Sequence, residues 1–456
     1  MQPDLTPWIV AISVLLPLCL TVLIFQWVMS RSADKSRRML PTLASAVESS
    51  SHWLPESQGQ APGEAQSAPP SLAVVVSAHN EAHAIGSCLR SLRAQDLPGF
   101  RVIVCLDRCT DGTADAARQA VQDDSRFELV EIHEPRPGWR GKPLPMQVGA
   151  EYAGEVDWIL FLDADARLSP DTLRLGLAVA LREGFDLMSV LPLLDVAHWF
   201  DKVMQPAATV HMLYLYPPRR VNLRTNARAF AVGAFSLIRR EAFEAIDGMT
   251  HLRNLLTEDI EMARRVRDAG YRVGMAHAEG RFVCAMYETL KEWRTGWRRI
   301  FTGASRGRAD RLRNHGLRSA IVGVGAPLVR LVSLVVGLWA VATGPMVISI
   351  LGGALAVVAL GSYAVNAYAL GRFYRESKLN PLWVFLYPVG AAYLGYLLLR
   401  CARDVRKGRV IGWAGNTFSA SPEPDEAAVA MDSLEASESA HPAASHAVSS
   451  GSKAEG

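Results

Sequence analysis

The run Trp8–Met29 carries no charged side chain, and no other stretch limits the fold so sharply. At ~1.5 Å rise per residue it reaches roughly across the ~30 Å hydrocarbon layer of a bilayer, where a segment must satisfy its own backbone hydrogen bonds as a helix. A cleaved signal peptide is the competing reading. It would need a basic residue before the run and a small-residue cleavage site after it, and neither is present. Arg31, Lys35, Arg37 and Arg38 follow the run whereas only Asp4 precedes it, so the positive-inside rule places the amino terminus outside and the next domain in the cytoplasm.

With 50% hydrophobic residues in a chain of 456, there is apolar sequence beyond the needs of an ordinary core. Ala320–Leu370, broken near Gly344-Pro345, divides into two crossings, and Arg330 interrupts its start. That arginine either marks the interface, with an amphipathic surface helix before it, or snorkels. Pro381–Leu399 is a third long apolar stretch, but Arg372, Arg375 and Lys378 before it and Arg403, Arg406, Lys407 and Arg409 after it both read as cytoplasmic. Either this stretch is re-entrant or interfacial, or the tail breaks the rule.

The expected organisation is an anchor over 1–30, a flexible linker over 31–70, a soluble domain over 71–316, a membrane region of two to three helices over 317–402, and a basic segment with a disordered tail over 403–456. Pro41–Pro70 and Ser419–Gly456 supply the low-complexity composition behind the linker and tail. The expected location is the inner (plasma) membrane, multi-pass, with the soluble domain in the cytoplasm. A net charge of +3 does not argue for nucleic acid. The six cysteines form no Cys-x-x-Cys pair and read as buried thiols rather than a disulfide framework or a zinc site.

Within the soluble domain, strands and helices alternate. Leu72–Ser77, Arg101–Leu106, Phe127–Ile132 and Trp158–Leu162 read as buried strands; Ala82–Ala94, Thr113–Gln122 and Lys142–Tyr152 read as helices between them. That succession implies α/β architecture, a doubly wound and mostly parallel sheet with its ligand site at the carboxyl ends of the strands. Polar clusters stand at those ends: Ala78-His79-Asn80-Glu81, Asp107 to Thr113, and Asp163-Ala164-Asp165. Residues two apart on an extended chain face one way, so Asp163 and Asp165 are placed to share a hard divalent cation and the phosphate oxygens it holds. Neither a Gly-x-Gly-x-x-Gly nor a Walker loop is present, which leaves a nucleotide gripped by its base and by a metal on its diphosphate. Asp111 also has a plain structural role available as a helix cap, and Asn80 as a turn former.

In order, the motifs His79-Asn80-Glu81, Asp107 to Thr113, Gly141-Lys142, Asp163-Ala164-Asp165, Gly233-Ala234-Phe235 and Thr257-Glu258-Asp259 resemble the catalytic domain of family 2 glycosyltransferases. The resemblance implies a GT-A fold and inverting transfer of a sugar, of hexosyltransferase type, from a nucleotide-diphosphate donor, with a UDP-sugar favoured. It places His79, Glu81 and Asp107 at the nucleoside, Lys142 close to the donor, Asp163 near the ribose or metal, and Asp165 on the metal, Mn²⁺ or Mg²⁺. It places the general base at Asp259, beside Glu258; the two precede the amphipathic stretch Ile260–Ala269 in the first turn of a helix beginning near Thr257, where the helix dipole also favours carboxylates for purely structural reasons. Two departures stand out: Leu106 replaces the first of two common aspartates, and His79 replaces a common base-stacking aromatic.

Further on, Lys291–Arg299 occupies the place of the Gln-x-x-Arg-Trp motif of processive members, but Trp297 precedes Arg298 and no Gln is present. Trp297 and Arg298 read equally as headgroup anchors of an interfacial helix or as closure of the donor site. Arg136–Lys142, Met286–Leu290 and Val410–Gly415 are similar to segments of hopene-associated and carotenoid glycosyltransferases, which implies a membrane lipid or polyisoprenoid acceptor. The alternatives are a processive polysaccharide synthase and an inactive glycosyltransferase-like membrane scaffold.

Overall fold

The computed structural model describes residues 5–53, 68–223, 228–285, 287–413 and 416–419. Four expectations therefore fall wholly or partly outside the described residues: linker positions 54–67, Met286, Ala414-Gly415 and tail positions 420–456.

Helix α1 (Thr6–Arg38) carries the uncharged run and ends in basic residues. The segment after it corrects the expected tether. Pro41 accepts the His277 N–H at 2.9 Å, and helix α2 (Val47–Ser50) follows a 3₁₀ turn in which Leu43 and Ala46 are fully buried. A low-complexity composition averaged over thirty positions conceals the few apolar residues, Leu43, Ala46 and Trp53, that dock this piece on the domain.

The sheet is built from β1 (Leu72–Ala78), α3 (Ile85–Arg93), β2 (Arg101–Asp107), α4 (Thr113–Val121), β3 (Phe127–Ile132), α5 (Pro143–Tyr152) and β4 (Trp158–Asp163). Strand boundaries agree with the periodicity of the sequence to within a residue. Chain order then gives β5 (Ala166–Leu168), α6 (Thr172–Glu183), β6 (Leu187–Leu191), β7 (Leu193–Asp195), α7 (Trp199–Leu215), α8 (Pro218–Val221), β8 (Phe235–Arg239), α9 (Arg240–Ala245), α10 (Glu258–Asp268), β9 (Val273–His277) and β10 (Phe282–Ala285). Seven strands form one sheet in the order β3-β2-β1-β4-β8-β6-β9, parallel from β3 through β4 and antiparallel only at β8. Strands β1, β2 and β4 are buried on both faces, as parallel strands covered by helices must be, so their polar residues collect at the carboxyl ends.

Helix α11 (Leu290–Ala304) leads to α12 (Ala309–Ala320), α13 (Ala326–Thr343), α14 (Met346–Glu376) and α15 (Tyr387–Arg406), followed by the hairpin β11 (Val410–Trp413) and β12 (Asn416–Ser419). Among the described residues four helical spans are long and apolar enough to cross a membrane: Thr6–Arg38, Ala309–Thr343, Met346–Glu376 and Pro381–Arg406. The charged ends of α1 and α14 meet through Asp34–Arg372 at 2.8 Å and Arg37–Glu376 at 3.0 Å, which sets those ends at one level. Helix α15 packs mainly on α12, α7 and α11. Arg330 is 2% exposed and turned inward between helices.

Candidate active site

At the end of β1 the chain turns through Asn80, whose φ of +57° lies in the left-handed region that Asn tolerates better than most residues. Its Oδ1 accepts the Thr110 N–H at 2.8 Å, tying the β1 end to the β2 end. His79 Nδ1 lies 2.6 Å from the Asp107 carbonyl oxygen. A carbonyl can only accept, so Nδ1 carries a proton and donates it to this contact. The Asp107 carboxylate is buried and takes both prongs of the Arg108 guanidinium, each at 2.8 Å. Asp111 accepts the N–H groups of Ala82 and Thr113, so its structural role holds.

The second cluster gathers where β4 ends. Lys142, which caps α5, pairs with Asp163, donates to the Gly233 carbonyl at 3.0 Å and lies 3.9 Å from Glu258. Burial works to discharge this ammonium, but Asp163 and Glu258 outweigh it and hold its pKa above the ordinary lysine range. Asp165 feels Lys142 less than it feels burial or Asp163. Burial, then repulsion from Asp163, pushes its carboxyl up to about 7, opposed by the Cys284 thiol that donates to it at 3.4 Å. Burial together with Asp163 and Asp111 likewise lifts Glu81 to about 7.

Such crowding of hard oxygen donors fits a divalent cation, with Asp165 and Asp163 as the residues that would hold it. Among the described residues no three His, Cys, Asp or Glu side chains converge to enclose an ion. A pair of carboxylates with the remaining positions filled by phosphate and water is the pattern Mg²⁺ commonly takes.

Asp259 occupies the first turn of α10, whose N-cap is Thr257, as the sequence placed it. Its Oδ1 accepts the Ile260 N–H and its Oδ2 the Gly233 N–H, both at 2.8 Å. Burial raises its pKa; those two N–H groups, Lys142 and Arg299 oppose the rise. Glu258 is held high for the same first reason, burial. Gly233 is required sterically as well, because a Cβ there would stand 3.0 Å from Asp259 Oδ2.

His79, Glu81, Asp107, Lys142, Asp163, Asp165, Glu258 and Asp259 all line one cavity of about 2900 Å³. Trp297 lines the same cavity, whereas Arg298 is held by Asp404. Trp297 and Trp293 are buried and both donate their indole N–H to Gln205 Oε1, at 3.0 and 2.9 Å, so they do not serve as headgroup anchors. Arg298 pairs with buried Asp404 at 3.0 Å and lies away from the carboxylates. Its neighbour Arg299 instead faces Glu258 and Asp259 and bonds the Leu256 carbonyl. One step of 100° along α11 decides which of two adjacent arginines enters the site; the sequence held both but no register. Cys284 carried no signal at all.

Carboxylates thus stand at three strand ends of the buried α/β sheet, with a lysine among them and a further carboxylate on a helix start. The family model described as "Glycosyltransferase like family 2" matches residues 69–294, and that segment is a family 2 glycosyltransferase domain. A Bacillus subtilis (strain 168) protein named "Putative glycosyltransferase EpsH" is 29% identical over 102 residues, 22% of this chain, and the match spans only 28% of that relative. Similar solved structures include a mannosyltransferase from Pyrobaculum calidifontis in complex with GDP-Man and Mn²⁺, at 19% identity and TM-score 0.41 over 82% of this chain and 98% of that one. Residues 1–349 of TarS from S. aureus, in complex with UDP-GlcNAc, are similar at 14% identity and TM-score 0.36, over 76% and 95%.

Proposed function

We propose that this chain is an inverting, metal-dependent glycosyltransferase that moves a sugar from a nucleotide-diphosphate donor, preferably a UDP-sugar, to a hydroxyl of a membrane lipid or polyisoprenoid at the cytoplasmic membrane face. The observation that carries the reading is the shared cavity: Asp165 and Asp259 line the same space as Phe25 of α1, and Tyr363 and Phe373 of α14. A soluble donor and an apolar acceptor can therefore meet there. Resemblance of Arg136–Lys142 to hopene-associated and carotenoid glycosyltransferases supports the same acceptor class.

In this reading His79 and Asp107 hold the nucleoside, Asp107 being fixed by Arg108 and the imidazole by the Asp107 carbonyl. Lys142 keeps Asp163 and Glu258 in place and adds positive charge near the donor. Asp259 takes the proton from the acceptor hydroxyl as its oxygen attacks the anomeric carbon opposite the departing diphosphate; a raised pKa brings its basicity closer to what that transfer needs. Asp165 and Asp163 would hold a divalent cation, which would supply charge stabilisation to the leaving diphosphate.

The test uses the full chain in detergent with UDP- and GDP-sugars. Donor turnover that requires Mn²⁺ or Mg²⁺ and stops with EDTA is expected. Turnover indifferent to EDTA removes the metal from the reading, and donor binding without any turnover in native membranes favours the inactive scaffold. Lipid analysis of cells with and without the chain separates a lost glycolipid from a lost polymer, the latter favouring a processive synthase.

A further inference from the structure

Arg330 is a buried cation with no matching anion among the described residues. Its Nη1 approaches the Ser362 carbonyl at 3.5 Å and, with the Gln26 amide turned to its better-satisfied orientation, Gln26 Oε1 at 2.8 Å; its guanidinium lies over the Tyr363 ring, 4.8 Å from the centroid. Nε has no partner. The titratable groups that face it are a phenol and a thiol, Tyr363 and Cys19. Arginine does not deprotonate in proteins, so it remains a cation.

Its depth follows from helix geometry. At ~1.5 Å per residue, Gln26 lies roughly 12 Å along α1 from Asp34, and Asn366 roughly 9 Å along α14 from Arg372, the ion pair that marks the charged ends of those helices. The neighbours Leu331, Val332 and Val335 on α13 are exposed and apolar, as a lipid-facing surface requires. Arg330, Gln26, Tyr363 and Asn366 nonetheless line the same cavity as the catalytic carboxylates. Holding α1 to α14 does not require the cation, because Gln26 bonds Ser362 whichever way its amide is turned. A charge placed inside the apolar layer is expensive unless paired, and a guanidinium fork matches a two-oxygen anion.

We propose that this inner end of the cavity binds the oxyanion of a membrane amphiphile, a phosphate or a carboxylate, through Arg330, with the alkyl chain lying among the membrane helices. The site requires neither donor nor acceptor, so its failure is separable from failure of the transferase reading. Full-length protein in a neutral detergent is titrated with dodecyl phosphate, dodecanoate or dodecanol while thermal unfolding is followed. At least one anion is expected to raise the midpoint saturably, at a concentration about tenfold below any effect of dodecanol; phosphate alone points to a phospholipid-type ligand and carboxylate alone to a fatty-acid type. Arg330→Met should abolish the preference for anions and Arg330→Lys should weaken it. Equal responses of the native protein to anions and dodecanol overturn the proposal, as does an Arg330→Met variant that keeps the native response. The native comparison decides the matter even if both variants fail to fold.

Discussion

At the scale of single residues, the proposed roles divide into groups that bind and a group that reacts. Asp259→Asn keeps the shape and one of the two backbone hydrogen-bond acceptor positions, yet it removes the proposed base. The expected outcome is a loss of transfer by roughly 10²- to 10⁴-fold with donor affinity nearly unchanged. Normal turnover in this variant, measured beside donor titration, would sink the assignment. Lys142→Met acts differently. It leaves Asp163 and buried Glu258 without their cation, so both donor affinity and folding stability should fall, the latter by about 2 kcal/mol. A denaturant midpoint in detergent reports the stability, and an unchanged midpoint would mean that water already compensates the carboxylates.

At the scale of elements, two contacts fix how the catalytic domain sits beside the membrane helices. Leu43, fully buried in the segment after α1, packs beneath α6, where Arg174 also donates to Ser50 at 2.6 Å. Leu43→Ala is expected to cost about 3 kcal/mol by loss of buried apolar surface and the cavity left behind. An effect below ~0.5 kcal/mol would return this segment to the role of tether. Gly390 in α15 touches α7 so closely that a Cβ there would run into the Val203 carbonyl oxygen. Gly390→Ala should therefore force the helices apart, destabilise by roughly 1–3 kcal/mol, and disturb the Gln205 contacts with Trp293 and Trp297. Tryptophan fluorescence of the variant checks this, since the shared acceptor lies two residues from the clash.

For the whole molecule, pH provides a test of the junction where α7, α11 and α12 meet. His211 stacks edgewise on Phe301 and His315, and burial lowers its pKa from 6.5 to about 4, with His315 adding to the shift. A histidine depressed in the folded state contributes stability fully present above its unfolded pKa and lost as pH falls from 6.5 towards 4. Thermal midpoints between pH 7.5 and pH 5 should drop more steeply for the native chain than for His211→Gln; parallel curves would show that carboxylates elsewhere carry the acid sensitivity.

Much of this protein was legible in the sequence because local rules act over a few residues. A run without charge must be a membrane helix or a buried one, and apolar strands of the right length predict a parallel sheet with its chemistry at the carboxyl ends. That placed His79, Glu81, Asp107, Asp163 and Asp165 along one edge, while Asp259 stood on a helix start and took its role from the family resemblance. Contacts between segments far apart in the chain were not legible, for they depend on register and packing that composition does not encode. Tertiary structure alone decided that residues 41–53 dock, that Trp297 holds Gln205 while Arg299 enters the site in place of Arg298, and that Arg330 faces a cavity instead of the bilayer surface. In each case the physical reason is the same: the direction of a side chain is set by the helix or strand that carries it, and the partner it meets by the elements packed against that face.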